Sequence, residues 1–338
     1  MATRPRHVRQ VRFAELGEAG QSRIARAHVA VVGLGALGSV AAEALARAGV
    51  GKLTLIDRDF VEETNLPRQV LYTEEDAREG TPKAVATERA LRAIDSELEL
   101  RAEVADLAPS SIDRILAGAQ AVVDGTDNFS TRYLLNDWSL ERGVPWVYGA
   151  AVGGSGLAMA VLPGDGPCLR CIFPEPTPPE LTPTCETSGI LGTVSGMVAL
   201  CEATEALKIV SGRVDAVVRG LQQVEAWRGG TRIFAAERDP ACPACVLGER
   251  PYLRGARGDS SAVLCGRNSV QITPAAPLRL DLGAMAKRVP SLQKHSPFLI
   301  RFLAEEHPVT LFADGRAIIG ETTDAAVART LYARYVGG

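Results

Sequence analysis

The sequence predicts an α/β fold: a doubly wound sheet whose second half is strand-rich, followed by a small α+β module. Three observations carry this. Short apolar runs alternate with helical patterns up to about position 148, the signature of a sheet covered by helices on both faces. A glycine turn, GLGALG (33–38), joins the first apolar run to the first helix. Beyond position 150 the helical spacing gives way to strands punctuated by glycine, beginning with VGGSGLAMAVLPG.

The elements follow in order. HVAVVG (28–33) is apolar throughout, as a strand buried on both faces must be. The alanine-rich stretch 36–48 has helical spacing, and KLTLID (52–57) is a second buried strand. Strand, glycine turn, helix and strand within about 30 residues make a Rossmann-like nucleotide-binding unit. Gly33 and Gly35 permit the turn and close phosphate approach, and Gly38 permits tight helix packing. The amides that open the helix face the phosphates. Asp57, about 20 residues beyond the glycines, suits an acid gripping ribose hydroxyls. LELRAEV (98–104), AVVDG (121–125) and PWVYGA (145–150) supply further strands, and 128–142 a helix.

Glycines and one acid suit any dinucleotide enzyme. The residues around them narrow the choice. Two acids (Asp57, Asp59), the box Asn65-Leu66-Pro67-Arg68-Gln69, Lys83 after Pro82, and the pair Asp127-Asn128 form a set suited to a nucleoside triphosphate and its metal. Arg68 offers a fork to phosphate oxygens and Lys83 a point charge. Each taken alone reads as an ordinary surface cation. Asp127 follows AVVDG at the carboxyl end of a strand, the edge where open α/β sheets bind ligands. There it suits Mg²⁺, which commonly takes one or two carboxylates plus substrate phosphates. Its plain alternative is the N-cap of the helix that follows.

Cysteines give the second signal. Cys168-Leu-Arg-Cys171 and Cys242-Pro-Ala-Cys245 are two pairs with zinc-ligand spacing. A closed, structural Zn²⁺ site accounts for both pairs, where a redox disulfide accounts for one. Cys201, in the apolar helical stretch 191–210, and Cys265 in VLCGRN read as inert thiols. Cys185 lies in TPPELTPTCETSG, a Pro/Thr-rich segment before that helix. Thiols at such places are accessible, and a helix N-terminus lowers their pKa. His7, His28, His295 and His307 are scattered and receive no catalytic role.

The chain divides on this reading into a domain at 1–247, a polar, basic linker at 248–260 and a small α+β module at 261–338. In the last, HPVTLFADGRAIIGE reads as two strands joined at Asp314-Gly315, with a helix from 324 to 335. The terminal Gly337-Gly338 reads as a glycine end to that helix. A net charge of −3 and a pI of about 5.9 leave no nucleic-acid footprint. No apolar run reaches the roughly 18 residues of a membrane helix, and MATRPRHVRQ has no apolar leader core. Cysteines paired for metal then suggest a reducing, cytoplasmic setting.

Arg9-Gln10, GLGALG, DRDFVEETNLPRQ, the Pro-Lys pair, GTDNFSTR, both Cys-x-x-Cys pairs and LTPTCETSG together resemble the adenylyltransferases related to ubiquitin-activating enzymes, the ThiF/MoeB/HesA group. The resemblance covers roughly residues 6–247 and departs at Ala36, where many relatives carry another glycine. It implies that Asp57 and Asp59 contact ribose, that Asn65, Arg68 and Lys83 contact phosphates, and that Asp127 holds magnesium. Arg9 would reach into the neighbouring subunit's site of a homodimer. Cys185 occupies the position of a cysteine that in some relatives bonds to the carrier.

The reaction implied is ATP-dependent adenylation of the C-terminal Gly-Gly carboxylate of a ubiquitin-like sulfur-carrier protein, with release of pyrophosphate. The pathway is thiamin, molybdopterin or another sulfur transfer. Such a reaction rests on positioning and charge neutralisation, and a carboxylate already ionised near pH 7 needs no general base. Two other classes stand beside this one. An NAD-dependent oxidoreductase explains the glycines and Asp57 but not Arg68, Lys83, Asp127 or the cysteines. A non-catalytic subunit that uses the fold to bind a partner would show degenerate nucleotide residues.

Overall fold

β1 (His28–Val32) is buried at every position, because its alternate residues enter two different cores. Val29 and Val31 face one hydrophobic cluster, Ala30 and Val32 the other. This is a central strand covered on both sides. β2 (Lys52–Ile56), β3 (Glu99–Glu103), β4 (Ala121–Asp124) and β5 (Trp146–Val152) lie parallel to it. β6 (Ser155–Val161), β7 (Leu221–Glu225) and β8 (Thr231–Phe234) continue the sheet antiparallel. The order is β3-β2-β1-β4-β5-β6-β7-β8. The chain leaves β1 toward β2 on one side and returns with β4 on the other, so a topological switch point lies between β1 and β4.

The computed structural model describes residues 4–176, 185–257, 263–264, 268–274 and 278–337. It divides into two compact units, Met1–Arg78 with Pro82–Gly258, and Glu79–Thr81 with Asp259–Gly338. In the first unit, α1 (Gly17–Ile24), α2 (Gly38–Ala48), α3 (Lys83–Ile94) and α5 (Gly192–Ser211) cover the sheet together with α4 (Phe129–Arg142). α2 starts at Gly38, two residues after the alanine run begins, because 33–37 is taken up by the phosphate-type turn. Gly49 and Gly143 close α2 and α4 in the left-handed region, with φ of +86° and +67°.

The stretch 249–257, read as linker, is folded against α4. Asp137 Oδ2 accepts from the Tyr252 amide at 2.9 Å, and the Tyr252 ring lies 4.9 Å from that of Tyr133. Most of the proline-rich loop, 177–184, lies outside the described residues.

The second unit is an antiparallel sheet of β9 (Val263–Leu264), β10 (Ser269–Ile272), β11 (Leu292–His295), β12 (Leu299–Ala304), β13 (His307–Phe312) and β14 (Ala317–Gly320), in the order β11-β12-β13-β14-β10-β9. α6 (Ala325–Tyr335) is N-capped by Asp324, which accepts from the Ala326 amide at 2.7 Å. The hairpin at Asp314-Gly315 forms, with Gly315 at φ +87°. The sequence pattern marked two strands here; β9 and β10 escaped it because they are short, and β11 and β12 because Lys294 and Arg301 interrupt their apolar pattern. Their burial is supplied by the shared core of Val270, Ile300, Phe302, Leu311 and Ile319.

Candidate active site and metal centre

Register brings the edge residues together. Val32 pairs with Ile56 on one side and Asp124 on the other. The next residues, Gly33, Asp57 and Gly125, therefore emerge side by side at the carboxyl edge. Gly33 takes φ +81°, and a Cβ there would lie 2.7 Å from the Gly125 carbonyl. A Cβ on Gly38 would overlap the Gly33 carbonyl oxygen. These glycines are demanded by the fold itself. Gly35 is different: its Cβ would meet nothing nearer than 3.9 Å. The fold leaves that space open, as a phosphate-binding turn requires.

Asp57 is buried. Its Oδ2 accepts from the Leu34 amide and its Oδ1 from the Asp59 amide, each at 2.7 Å. Burial pushes its carboxyl up, while Lys83 and the two amides oppose the rise. Asp57 thus clamps the glycine turn, and each carboxylate oxygen retains a lone pair for a ligand hydroxyl.

Lys83 opens α3, is 6% exposed, and lies 3.5 Å from Asp59 Oδ2. Asn65 is buried, and its Oδ1 accepts from the Glu62 amide at 3.1 Å, closing a reciprocal cap that shapes the box. Gln69 is buried with Oε1 unpartnered, its Nε2 beside the open face of Gly35. Arg68 donates to the Thr64 carbonyl at 2.7 Å and is half-exposed. Its backbone meets Gly192 at the start of α5.

Asp127 is exposed in the turn after β4. It is not the helix cap. Asn128 takes that role, its Oδ1 accepting from the Thr131 amide at 2.8 Å. Four charged residues that the sequence reading left unassigned support this edge. Arg58 bonds Asp106 at 3.0 Å and, against the effect of its own burial, is held protonated by Asp106, Asp59 and Asp127. Asp124, fully buried, accepts from Arg132 Nε at 2.9 Å and from the Thr126 hydroxyl at 2.6 Å. Arg132 also donates to the carbonyls of Thr126 and Gly149 at 2.6 and 2.8 Å. Glu202 on α5 is completely buried nearby. The signal for Glu202 was present in the sequence: it falls four residues after Val198 and eight after Val194, on the helix stripe that faces the sheet.

Arg9 is exposed on the short helix Val8–Val11. The adjoining Gln10 donates to the Ala48 carbonyl at 2.9 Å, and Arg4 pairs with Asp95, the residue that ends α3, at 2.7 Å. Both partners lie at the ends of helices whose starts form the nucleotide edge. An 11-residue helix such as α2 spans about 16 Å. Arg9 is therefore placed at the opposite edge of the sheet from its own chain's glycine turn.

The four paired cysteines converge. Their Sγ atoms all lie within 4.8 Å of one another: Cys168 to Cys242 at 3.6 Å, Cys171 to Cys245 at 3.5 Å and Cys168 to Cys171 at 3.9 Å. A tetrahedral ion with bonds of about 2.3 Å to sulfur requires sulfurs about 3.8 Å apart. All four are free thiols. Burial and the neighbouring sulfurs push Cys168 up, and burial pushes Cys171 up to about 11. Cys201 is a half-buried free thiol on α5. The backbone of Cys185 opens the short helix Cys185–Ser188, but its side chain lies outside the described residues, as do Cys265 and Gly338. Among the described residues no helix is long and apolar enough to cross a membrane.

Comparison with known proteins agrees with this arrangement. The chain is 38% identical over 336 residues to a sulfur carrier protein ThiS adenylyltransferase of Bacillus subtilis, covering 98% of this chain and 99% of that protein. It is 38% identical over 243 residues to a SAMP-activating enzyme E1 of Haloferax volcanii, covering 72% of this chain and 89% of that one. The fold matches a crystal structure of E. coli MccB with ATP, at a TM-score of 0.62 and 21% identity, over 72% of this chain and 75% of that one. Residues 7–244 match the ThiF family. That span takes in the N-terminal segment, the whole nucleotide edge and the cysteine cluster as far as Cys242, and the chain belongs to the ThiF family.

Proposed function

We propose that this chain is an ATP-dependent adenylyltransferase that activates the C-terminal Gly-Gly carboxylate of a ubiquitin-like sulfur-carrier protein of the ThiS type. The observation that carries the reading is the likeness to a ThiS adenylyltransferase through both units of the chain. A carboxylate oxygen of the carrier attacks the α-phosphorus of ATP, the bond to the bridging oxygen breaks, and pyrophosphate leaves. The product is an acyl adenylate. The glycine turn and the α2 amides hold phosphates, Asp57 and Asp59 hold ribose, and Asn65, Gln69 and Asn128 shape the walls. Lys83 and Arg68 offset charge on the departing pyrophosphate. Asp127 is the carboxylate that would hold Mg²⁺; its exposure at the strand edge beside the phosphate turn fits that role. The bound ion supplies further neutralisation of phosphate charge.

Cys168, Cys171, Cys242 and Cys245 would hold Zn²⁺ in a closed structural site, for which the sulfur spacing is suited. A cytoplasmic setting keeps these thiols reduced. The placement of Arg9 at the far edge of its own sheet supports a homodimer in which it serves the partner's site. Cys185 is the candidate thiol for a covalent carrier adduct after adenylation.

The test is ATP–pyrophosphate exchange screened against Gly-Gly-ending small proteins; exchange with none of them would sink the reading. Mixing inactive Arg9→Ala with inactive Asp127→Ala protein should restore part of the activity if Arg9 acts in trans. Cys185→Ser should leave exchange unchanged and remove any reducible adduct. An adduct that persists places the link elsewhere.

A further inference from the structure

Glu202 is fully buried, and neither of its carboxyl oxygens has a hydrogen-bond partner. Its place is nonetheless specific. A Cβ on Gly149 of β5 would overlap the Glu202 carboxyl group, so the two residues fit only because position 149 has no side chain. The Gly149 carbonyl is one of the three anchors of Arg132, with Asp124 and the Thr126 carbonyl. Thr126 directly precedes Asp127. A continuous path runs from the Glu202 carboxyl through the Gly149 peptide and Arg132 to the turn that carries Asp127.

The ionisable groups acting on Glu202 are Asp124 from β4 and Arg132 from α4, and the thiol of the adjoining Cys201 on α5 feels its charge in turn. Tyr148 of β5 adjoins it, and β6 carries no titratable side chain. The one cation in this set is already bonded to Asp124. A second carboxylate would be a buried charge without a partner, which proteins avoid by keeping the acid protonated. Burial first, then Asp124, push the Glu202 carboxyl well above the usual carboxylate range.

We propose that Glu202 is a positioning residue of the nucleotide site, an uncharged carboxylic acid that braces the Gly149 peptide and, through Arg132, the turn carrying Asp127. The proposal rests on the adenylation reading above for the use of that turn.

The test is Mg²⁺·ATP binding by calorimetry, across pH, on the full chain. Glu202→Gln is isosteric and uncharged, and should bind within about threefold of wild type at neutral pH. Wild-type affinity should fall at alkaline pH, as the acid ionises beside Asp124, and the Gln variant should lack that fall. Glu202→Ala should bind roughly tenfold or more weakly, as expected when a supporting group is displaced. Gly149→Ala should bind as poorly as Glu202→Ala, and the double variant should recover, because its new methyl fills the space the carboxyl vacates. A Gln variant as weak as Ala would mean that an ionised carboxylate is required, and would overturn the proposal. So would identical pH profiles for Gln and wild type, or wild-type binding by Glu202→Ala. Exchange assays keep the two claims apart: wild-type protein that binds ATP without exchange refutes the adenylation reading and not the brace.

Discussion

The nucleotide edge and the cysteine cluster are both built from residues distant in sequence, yet they are held in opposite ways. At the nucleotide edge, backbone meets backbone. Gly33, Gly38 and Gly125 touch directly, Asp57 takes two amides, and Arg132 ties three segments together. The chain's own contacts fix its geometry, as catalysis by charge placement requires. The cysteine cluster gathers four thiols across a sequence gap of 74 residues. One region is held by the chain's own backbone and hydrogen bonds, and the other brings together four sulfurs whose spacing suits a shared cation.

That comparison is most strongly tested by metal removal. Structural zinc in small motifs binds with on the order of 10 kcal/mol. Cys168→Ser, or a chelator, should therefore release the metal and lower the melting temperature sharply. Metal analysis should find one zinc per chain in wild type; a metal-free protein of full stability would break the contrast. Next in size is the pair of glycine substitutions. Gly38→Ala forces a methyl into the Gly33 carbonyl and should cost up to about 3 kcal/mol. Gly35→Ala has room, and should cost less than about 1 kcal/mol while still weakening ATP binding by crowding the phosphate. Denaturant unfolding with a parallel binding assay separates them; equal losses of stability would show that position 35 is set by the fold and not by a ligand.

Asp127→Ala should lower exchange by roughly a hundredfold with an unchanged melting curve, because the residue is exposed and carries no part of the scaffold. Near-wild-type exchange would remove it from the mechanism. The last test concerns Glu202 and is read from the pH dependence of stability. Its folded-state pKa is raised, so below the unfolded value of about 4.3 both states are protonated and pH has no effect through it. As pH rises further, the unfolded chain releases the proton and the folded one keeps it, so wild-type stability falls by up to about 1.4 kcal/mol per pH unit until the folded-state pKa is reached. Glu202→Gln should lack this slope and become increasingly the more stable protein from pH 5 to 8. Parallel stability curves would show that Glu202 ionises normally within the fold.

The parallel strands β1, β2, β4 and β5 were legible because each is a short apolar run between turn signals, and the glycine turn because its spacing is local. The helix after β4 was legible, but the sequence offered Asp127 as its alternative cap, and the hydrogen bond from the Thr131 amide gives that role to Asn128. Arg132 lay within a recognised motif without a role, since its partners Asp124, Thr126 and Gly149 are assembled by sheet register. The stretch 249–257 has the composition of a linker, and its docking depends on Asp137, far earlier in the chain. The additional strands of the second unit have weak individual patterns and are held by pairing with their neighbours in the sheet.

By itself, the sequence determined what depends on nearest neighbours along the chain: strand and helix periods, the φ-positive glycine of the phosphate turn, the Cys-x-x-Cys spacings and the residue types the chemistry needs. The tertiary structure alone decided which of those residues meet. It brought two cysteine pairs to one point, put Arg9 at the far end of α2 from the glycine turn, and buried Glu202 over Gly149. The physical reason is range. Periodicity and backbone preference act over a few residues, whereas convergence across a hundred depends on strand register and on helices packing against a shared core.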